Sequence, residues 1–221
     1  MNSSATGIIA EFKRKSPSKG NININADVVK ITSAYVDAGA SGLSVLTDEK
    51  FFGGNEADLV KARVQQAPIL RKDFMIDPYQ LYEARAMGAD VILLIAAALS
   101  VEEVKTLTNV AKDLQLEVLL EIHAESEIEH ICEQVDMVGI NNRNLKTFEV
   151  DVERSLRMAK LIPTDKLAIA ESGINSTTMI NLFRENGFKG FLIGEMFMKQ
   201  ENPGEAFSEF VEQLTSKPNI R

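Results

Sequence analysis

The sequence contains little cysteine and no long hydrophobic run. Its single cysteine, Cys132, lies on a predicted helix and cannot form an intramolecular disulfide, so we assign it a packing role only. The N-terminus lacks the charged and apolar regions of a secretory signal peptide, which favours a reducing, cytoplasmic location. The longest apolar stretch, residues 91–99, is too short to span a bilayer, and no membrane segment is expected.

An excess of positive charge is absent as well. The chain has 24 lysine and arginine residues against 32 acidic residues, which gives a formal net charge of −8. The field of such a protein repels polyanions, so we expect no nucleic acid partner and infer that any anionic ligand is held by local groups. His123 and His130 lack the spacing of metal ligands, and no metal site is predicted.

Short apolar runs alternate along the chain with longer segments of helical periodicity. The predicted strands are residues 7–11, 42–47, 69–72, 91–95, 117–121, 137–141, 166–171 and 190–194. Helical segments between them include residues 26–38, 78–87, 101–114, 125–134, 152–161 and 176–185. Asp77 and Ser100 are typical of helix starts, and Gly39, Gly88 and Gly187 are typical of the position after a helix. The pattern predicts eight βα units.

Eight βα units can form either a closed barrel or an open doubly wound sheet. No Gly-x-Gly-x-x-Gly turn of a dinucleotide-binding sheet follows any predicted strand. We therefore expect an α/β fold, a single (β/α)8 TIM barrel whose active site lies at the carboxyl ends of the strands. One such domain accounts for all 221 residues, with residues 1–6 as a disordered leader.

Charged and polar side chains stand at or just beyond the ends of five predicted strands. In chain order they are Glu11, Lys13, Lys72, Glu121, Asn141, Arg143, Glu171 and Ser172. A charge buried without a partner is unfavourable to folding, so we interpret the set as catalytic rather than as a polar layer that seals the barrel. For Arg143 alone, bracing of the neighbouring loops is an equally open interpretation.

Three turns near the same end of the barrel are typical of phosphate binding. The segment from Ser16 to Gly20 follows the first strand and offers hydroxyl and backbone N–H groups. Gly173 follows the seventh strand, and Gly194 with Glu195 follows the eighth, where such barrels commonly bind phosphate. The Glu195 carboxylate must then point away from the anion. We expect a phosphorylated small-molecule substrate.

Seven ordered motifs extend over the length of the predicted barrel. They are IIAEFKRKSPSKG from Ile8, LSVLTDEKFFGG from Leu43, PILRKDFMIDPYQLYEARAMGAD from Pro68, LLEIHAESE from Leu119, GINNRNLKTFEVD from Gly139, AESGI from Ala170 and LIGE from Leu192. Together they resemble the indole-3-glycerol-phosphate synthase family of tryptophan biosynthesis. The resemblance implies a carboxy-lyase without cofactor or metal. Its reaction closes carboxyphenylamino-deoxyribulose 5-phosphate to indole-3-glycerol phosphate with loss of carbon dioxide and water.

The same resemblance implies roles for the strand-end residues. Lys72 is the expected general acid at the substrate carbonyl, and Lys13 is the expected partner of the anthranilate carboxylate, with a second acid role open to it. Glu121 and Glu11 are the expected acid/base carboxylates, and Asn141 is expected to contact substrate or transition-state oxygens. The substrate-binding set is Ser16, Arg143, Glu171 and Ser172, and the phosphate-binding set is Gly173, Gly194 and Glu195. A lysine that acts as an acid near neutral pH is expected to have a lowered pKa.

Family members normally carry an additional helical segment ahead of the first strand. Only a few residues precede Gly7 in this sequence, and we expect the missing cover over the substrate mouth to weaken binding or turnover. Association with other enzymes of tryptophan biosynthesis is a further expectation.

Two other functions are compatible with the predicted scaffold. A phosphoribosylanthranilate isomerase or a similar sugar-phosphate isomerase shares the phosphate turns, but it typically uses a Cys/Asp or Asp/Asp pair. Glu11 and Lys13 at the end of the first strand disfavour that alternative. A non-catalytic barrel that only binds phosphorylated metabolites is disfavoured by the retained set of lysines and glutamates.

Overall fold

The structure, a computed structural model, describes residues 6–144 and 147–216, and eight parallel strands form a closed barrel within them. The barrel strands are β1 (Ile8–Phe12), β4 (Gly42–Leu46), β5 (Ile69–Lys72), β6 (Val91–Ile95), β7 (Glu117–Ile122), β8 (Met137–Asn141), β9 (Leu167–Glu171) and β10 (Gly190–Ile193). Closure follows because β1 pairs with β10 as well as with β4. The predicted strands agree with these bounds to within one residue, and the expected (β/α)8 TIM barrel is confirmed.

Helices cover the outside of the barrel. They are α1 (Val28–Asp37), α2 (Glu49–Phe52), α3 (Glu56–Ala62), α4 (Pro78–Met87), α5 (Val101–Asp113), α6 (Val152–Ala159), α7 (Thr177–Glu185), α8 (Glu195–Met198) and α9 (Pro203–Thr215). The side chains of Asp77 and Ser100 accept hydrogen bonds from the first turns of α4 and α5, as predicted. Gly39, Gly88 and Gly187 each adopt a φ of 92°, which confirms them as left-handed residues after helices.

One predicted helix, residues 125–134, is wrong in type and length. The segment forms a 3-10 helix over Glu125–His130, and Cys132 lies beyond it in irregular, half-buried backbone. The connection from Ile122 to Met137 is shorter than the one from Ile95 to Glu117, so each residue must cover more distance. A 3-10 helix rises about 2.0 Å per residue and an α-helix about 1.5 Å, which favours the tighter helix here.

The barrel interior decides which strand residues reach the mouth. A cluster of Ile9, Leu70, Val91, Leu93, Leu119, Met137, Ile169 and Leu192 is buried separately from the larger core that packs strands against helices. Side chains alternate along a strand, so a residue two positions further on faces the same side. The resulting pairs are Ile9 and Glu11 on β1, Leu70 and Lys72 on β5, Leu119 and Glu121 on β7, and Ile169 and Glu171 on β9. The predicted catalytic side chains therefore cap the apolar interior.

The polar turn predicted after the first strand is the tip of a small hairpin. Its strands are β2 (Lys15–Ser16) and β3 (Gly20–Asn21), which pair antiparallel. Arg14 anchors the base of the hairpin through a bidentate ion pair with buried Asp58 on α3 and a 3.2 Å hydrogen bond to the carbonyl of Ala26. A bidentate arginine–carboxylate pair holds a loop in one orientation, so the hairpin is fixed beside the mouth.

Of the predicted leader, residues 1–6, the structure describes only Thr6. Residues 1–5 lie outside the described residues, whereas Thr6 is buried and its Oγ1 donates to the carbonyl of Gly39 at 2.9 Å.

Among the helices of residues 6–144 and 147–216, none combines the length and the apolar composition needed to cross a bilayer.

Candidate active site

A cavity of about 910 Å³ opens at the carboxyl ends of the strands. All of the predicted site residues line it: Glu11, Lys13, Ser16, Lys72, Glu121, Asn141, Arg143, Glu171, Ser172, Gly173, Gly194 and Glu195. They come from the ends of five strands and from the turns that follow, as the barrel geometry requires. The structure therefore brings together residues that are spread over most of the chain.

Lys72 lies between two buried glutamates. Its Nζ is 3.2 Å from Oε2 of Glu121 and 3.5 Å from Oε2 of Glu171. Burial alone would lower the pKa of Lys72, but the charges of Glu121, Glu171 and Glu11 outweigh burial and raise the pKa above its usual value. The expected lowering of this pKa is therefore wrong. Lys72 is held as an ammonium ion, the form that donates a proton.

The pKa values of the two glutamates beside Lys72 are shifted in opposite directions. Burial acts to raise the pKa of Glu121, but the charge of Lys72 outweighs it. His123 and Asn141 contact the same carboxylate and help to hold its pKa well below the usual range. For Glu171, burial and the charge of Glu121 raise the pKa to about 8 against the opposing effect of Lys72. The two shifts have opposite directions, so a proton taken up by this pair goes to Glu171 before Glu121, and a weaker and a stronger base lie side by side.

The raised pKa of Glu171 leads to a prediction about the stability of the protein as the pH changes. Its pKa is about 8 in the folded protein, above the ordinary 4.5, so the folded state binds this proton more tightly than the unfolded state. The resulting stability is present below the unfolded value and is lost as the pH rises through about 8. Relative to Glu171→Gln, the wild-type free energy of unfolding should fall between about pH 5 and about pH 8.5. Urea unfolding of both proteins across this range measures the difference, and a constant difference would contradict an elevated pKa.

Lys13 and Asn141 are held by the same cluster of carboxylates. Lys13 Nζ lies 2.6 Å from Oε1 of Glu11, so these two residues form a close ion pair. Asn141 Nδ2 donates to Oε1 of Glu121 at 3.0 Å, and Asn141 Oδ1 accepts from the backbone N–H of Arg143 at 3.0 Å. No group of three or more His, Cys, Asp or Glu side chains within the described ranges is arranged to hold a metal ion.

Two glycines leave room for buried carboxylates. A Cβ atom added at Gly139 on β8 would overlap Oε1 of Glu171. A Cβ atom added at Gly194, directly after β10, would lie 2.5 Å from Oε1 of Glu11. Since any larger residue would displace a carboxylate, glycine is required at both positions. Gly194 was predicted for phosphate binding only, and the structure shows this additional packing reason for it.

The turn after β9 has a left-handed backbone at two successive residues. Ser172 has a φ of 65° and Gly173 a φ of 71°. A non-glycine residue in this region is uncommon, and the Ser172 carbonyl accepts a 2.7 Å hydrogen bond from Asn142 Nδ2 that helps to hold the conformation. A Cβ atom at Gly173 would lie 2.6 Å from Cγ1 of Val150. The turn therefore depends on glycine at 173 and presents Ser172 to the cavity.

Glu195 is the first residue of α8 and lies near two cations at the mouth. Gly194 caps this helix without a side chain, so backbone N–H groups of the first turn face the turn region unshielded by a capping side chain. The Glu195 carboxylate was expected to point away from a bound anion. In the structure it pairs with Arg143 Nη2 at 3.3 Å and with Lys19 Nζ at 3.9 Å. Its negative charge is offset by these two residues.

Sequence reasoning missed two further features of the site. An aromatic wall formed by Phe51, Phe52 and Phe74 lines the cavity, and the rings of Phe51 and Phe74 lie 6.1 Å apart. These phenylalanines lie within the quoted motifs, but only the fold brings them together at the mouth, and Phe148 lines the cavity from the loop after β8. The other missed residue is His123, whose Nε2 lies 3.1 Å from Oε1 of Glu121. The sequence did carry a signal for His123. Because side chains alternate along a strand, a histidine two positions after the strand-end Glu121 faces the same side as that glutamate.

Comparison with known proteins identifies the family. The family model described as indole-3-glycerol phosphate synthase matches residues 1–210. The chain is 53% identical over 215 residues to the indole-3-glycerol phosphate synthase of Bacteroides thetaiotaomicron, covering 97% of this chain and 83% of that protein. It is 46% identical over 211 residues to the corresponding protein of Polynucleobacter asymbioticus, covering 95% of this chain and 79% of that protein.

Solved structures with much lower identity share the fold. 3-Hexulose-6-phosphate synthase from Salmonella typhimurium has a TM-score of 0.72 at 12% identity and covers 94% of this chain and 99% of its own. A tryptophan synthase alpha-subunit from Pyrococcus furiosus has a TM-score of 0.70 at 15% identity and covers 96% and 98%. At these identities the likeness concerns the barrel alone. With the match over residues 1–210 and the identities above 45%, the chain belongs to the indole-3-glycerol phosphate synthase family, carboxy-lyases of tryptophan biosynthesis.

Proposed function

We propose that this chain closes the indole ring by acid–base catalysis centred on Lys72. The observation that carries the proposal is the position of Lys72, whose Nζ lies 3.2 Å from Glu121 and 3.5 Å from Glu171 inside the cavity. In the first step the substrate ring carbon that bears the carboxylate attacks the ketone carbon, and Lys72 protonates the carbonyl oxygen. Preorganised charge of this kind stabilises the oxygen as negative charge develops on it.

Loss of carbon dioxide and then of water completes the reaction. The carbon–carboxylate bond breaks and its electron pair restores the aromatic ring. The hydroxyl formed in the first step then leaves with an added proton as water, and a base removes a proton from the adjacent CH2 carbon, whose C–H electron pair forms the double bond of the indole. Lys13 lies at the cavity beside Glu11 and is placed to pair with the substrate carboxylate before it departs. Glu121 serves as the base near the reacting atoms, and Glu171 is a neighbouring proton carrier.

The phosphate of the substrate is assigned to the turn region of the mouth. Backbone N–H groups near Gly173 and Gly194 and the hydroxyl of Ser16 are donors of the kind that oxyanions prefer. Arg143 and Lys19 supply positive charge there, and both pair with Glu195. Substrate phosphate then competes with the Glu195 carboxylate for these cations.

The opposite part of the cavity suits the anilino ring. Phe51 and Phe74 offer an apolar aromatic surface in the same cavity as Lys72, and aromatic rings favour offset or edge-to-face contact with one another. The substrate would then lie across the mouth, with its ring on the aromatic wall and its phosphate at the glycine turns. That arrangement places the ketone over Lys72.

Three broader assignments complete the proposal. The barrel acts as one domain, because its strands share one closed sheet and one interior cluster. A cytoplasmic location agrees with the single free Cys132 and with a biosynthetic role. Association with other enzymes of tryptophan biosynthesis is tested by co-purification of the untagged partners from cells that make this chain.

The proposed function is tested with the anilino-sugar phosphate labelled with ¹³C in its carboxylate. The chain should produce indole fluorescence and labelled carbon dioxide in equal amounts, because closure and decarboxylation belong to one turnover. A phosphoribosylanthranilate isomerase would instead interconvert phosphoribosylanthranilate and this anilino-sugar phosphate, and it would release no labelled carbon dioxide. Binding of the substrate with neither product would show a binding barrel and would contradict the proposal.

A further inference from the structure

His123 occupies a position that the proposed mechanism leaves unused. It follows Ile122, the last residue of β7, and therefore faces the same side as Glu121. The side chain is only 11% exposed, and Nε2 lies 3.1 Å from Oε1 of Glu121. Residues that line the cavity do not include His123. Any effect of this histidine on the reaction must therefore act through Glu121.

The other side of the imidazole ring faces a second carboxylate. Oε2 of Glu127 lies 3.9 Å from Nδ1 of His123 and accepts the backbone N–H of His123 at 2.5 Å and that of Ala124 at 3.3 Å. Glu127 thus fixes the backbone of His123 as well as facing its ring. Neither ring nitrogen of His123 has an aligned hydrogen-bond partner among the described residues. The carboxylates of Glu121 and Glu127 lie within 4 Å of the two nitrogens, one on each side of the ring.

Three side chains contact the two carboxylate oxygens of Glu121. Oε2 contacts Lys72, whereas Oε1 contacts both Asn141 Nδ2 at 3.0 Å and His123. Glu171 lacks an equivalent arrangement, because its Oε1 is buried without a hydrogen-bond partner among the described residues. The imidazole is therefore part of what distinguishes the two glutamates that share Lys72.

We propose that His123 is a positioning residue for ring closure, holding Oε1 of the Glu121 carboxylate so that Oε2 faces Lys72, with Glu127 bracing the imidazole from the other side. This inference rests on the proposed function, since it assigns a means by which Glu121 is kept in place as the base. The charged groups that bear on the ring are Glu121 from β7 and Glu127 from the 3-10 helix. Lys72 from β5 and Glu171 from β9 stand behind Glu121.

The kinetic test compares variants of His123 with matched changes in the 3-10 helix. His123→Ala should lower kcat about tenfold with little change in KM, because a carboxylate free to turn is aligned for less of the time. The acid limb of its pH profile should move to higher pH, since Glu121 loses a contact that lowers its pKa. His123→Gln, which keeps an N–H donor, should recover most of the rate. Glu127→Gln should show a smaller loss, whereas the exposed Glu125→Gln should behave as wild type.

A spectroscopic test decides the contact without any turnover. The chain has only two histidines, so ¹⁵N NMR of the imidazole nitrogens gives two sets of signals, which His130→Gln assigns. Glu121→Gln should shift the Nε2 signal of His123 and leave that of His130 in place. Unchanged His123 signals would overturn the proposal, as would a folded His123→Ala or His123→Gln variant with wild-type kcat and pH profile. If the wild-type chain forms no product, the proposed function fails while the NMR result still decides the contact.

Discussion

Replacement of Lys72 by methionine should lower kcat about 10³-fold, the range expected for loss of a general acid. Methionine matches the length of the lysine stem but carries no proton to donate. The variant would also lack the positive charge of Lys72, whose Nζ lies 3.2 Å from Glu121 and 3.5 Å from Glu171. The rate is measured as indole fluorescence from the anilino substrate under saturating conditions. Lys105→Met, which removes an exposed lysine on α5, is the control for loss of a charge alone.

Comparison with Lys13→Met separates the two lysines of the site. Because Lys13 pairs with Glu11 and is assigned to the substrate carboxylate, its loss should raise KM more than the loss of Lys72 does. Circular dichroism and thermal unfolding must show that both variants are folded, since removal of one partner from a buried ion pair is destabilising. A folded Lys72→Met variant that keeps more than about a tenth of the wild-type kcat would contradict the role as general acid.

Replacement of Gly139 by alanine should affect both stability and rate through Glu171. The added Cβ overlaps Oε1 of Glu171, so the carboxyl group must move or the strand must shift. Overpacking of this kind costs about 1–3 kcal/mol of the free energy of unfolding. A shift of the carboxyl by about 1 Å next to Lys72 should lower kcat about 10²-fold. Urea unfolding and steady-state kinetics measure the two effects.

A double-mutant cycle shows whether the effect of Gly139→Ala passes through Glu171. In a Glu171→Ala background the overlapping atoms are gone, so Gly139→Ala should then change the free energy of unfolding by little. Equal losses in both backgrounds would mean that the alanine disturbs the strand itself, and the spatial argument for glycine would be wrong. The cycle needs no assumption about the mechanism.

The fold was predictable because its signals are local. Apolar runs bounded by glycine and polar residues mark the strands to within one residue, and capping residues such as Asp77 and Ser100 mark helix starts. The location of the site followed from the same alternation, since Glu121 lies two residues after the interior Leu119. A resemblance over seven motifs then supplied the chemistry. Local pattern and strand ends are enough to place residues at a barrel mouth.

The remaining features depend on contacts between distant segments. The raised pKa of Glu171 results from burial and from Glu121 on another strand, which no local pattern reports. Glu195 meets Arg143 only because the ends of β8 and β10 lie at the same mouth. Residues 125–134 have a helical period, yet the short connection between β7 and β8 imposes a 3-10 helix there. Electrostatics and the length of connections thus override what periodicity indicates.

Closure of the barrel has a consequence for how the chain folds as it is made. The closing seam joins Ile8 to Phe191 and Ala10 to Ile193, so the first strand pairs with the last. During synthesis β1 has β4 as a neighbour, but its other edge stays open until residue 193 has left the ribosome. Contacts so far apart in sequence form slowly, and an open strand edge invites pairing with another chain. A nascent chain that ends before residue 190 therefore lacks β10, and the edges of β1 and β9 that β10 covers are open to pairing with another chain.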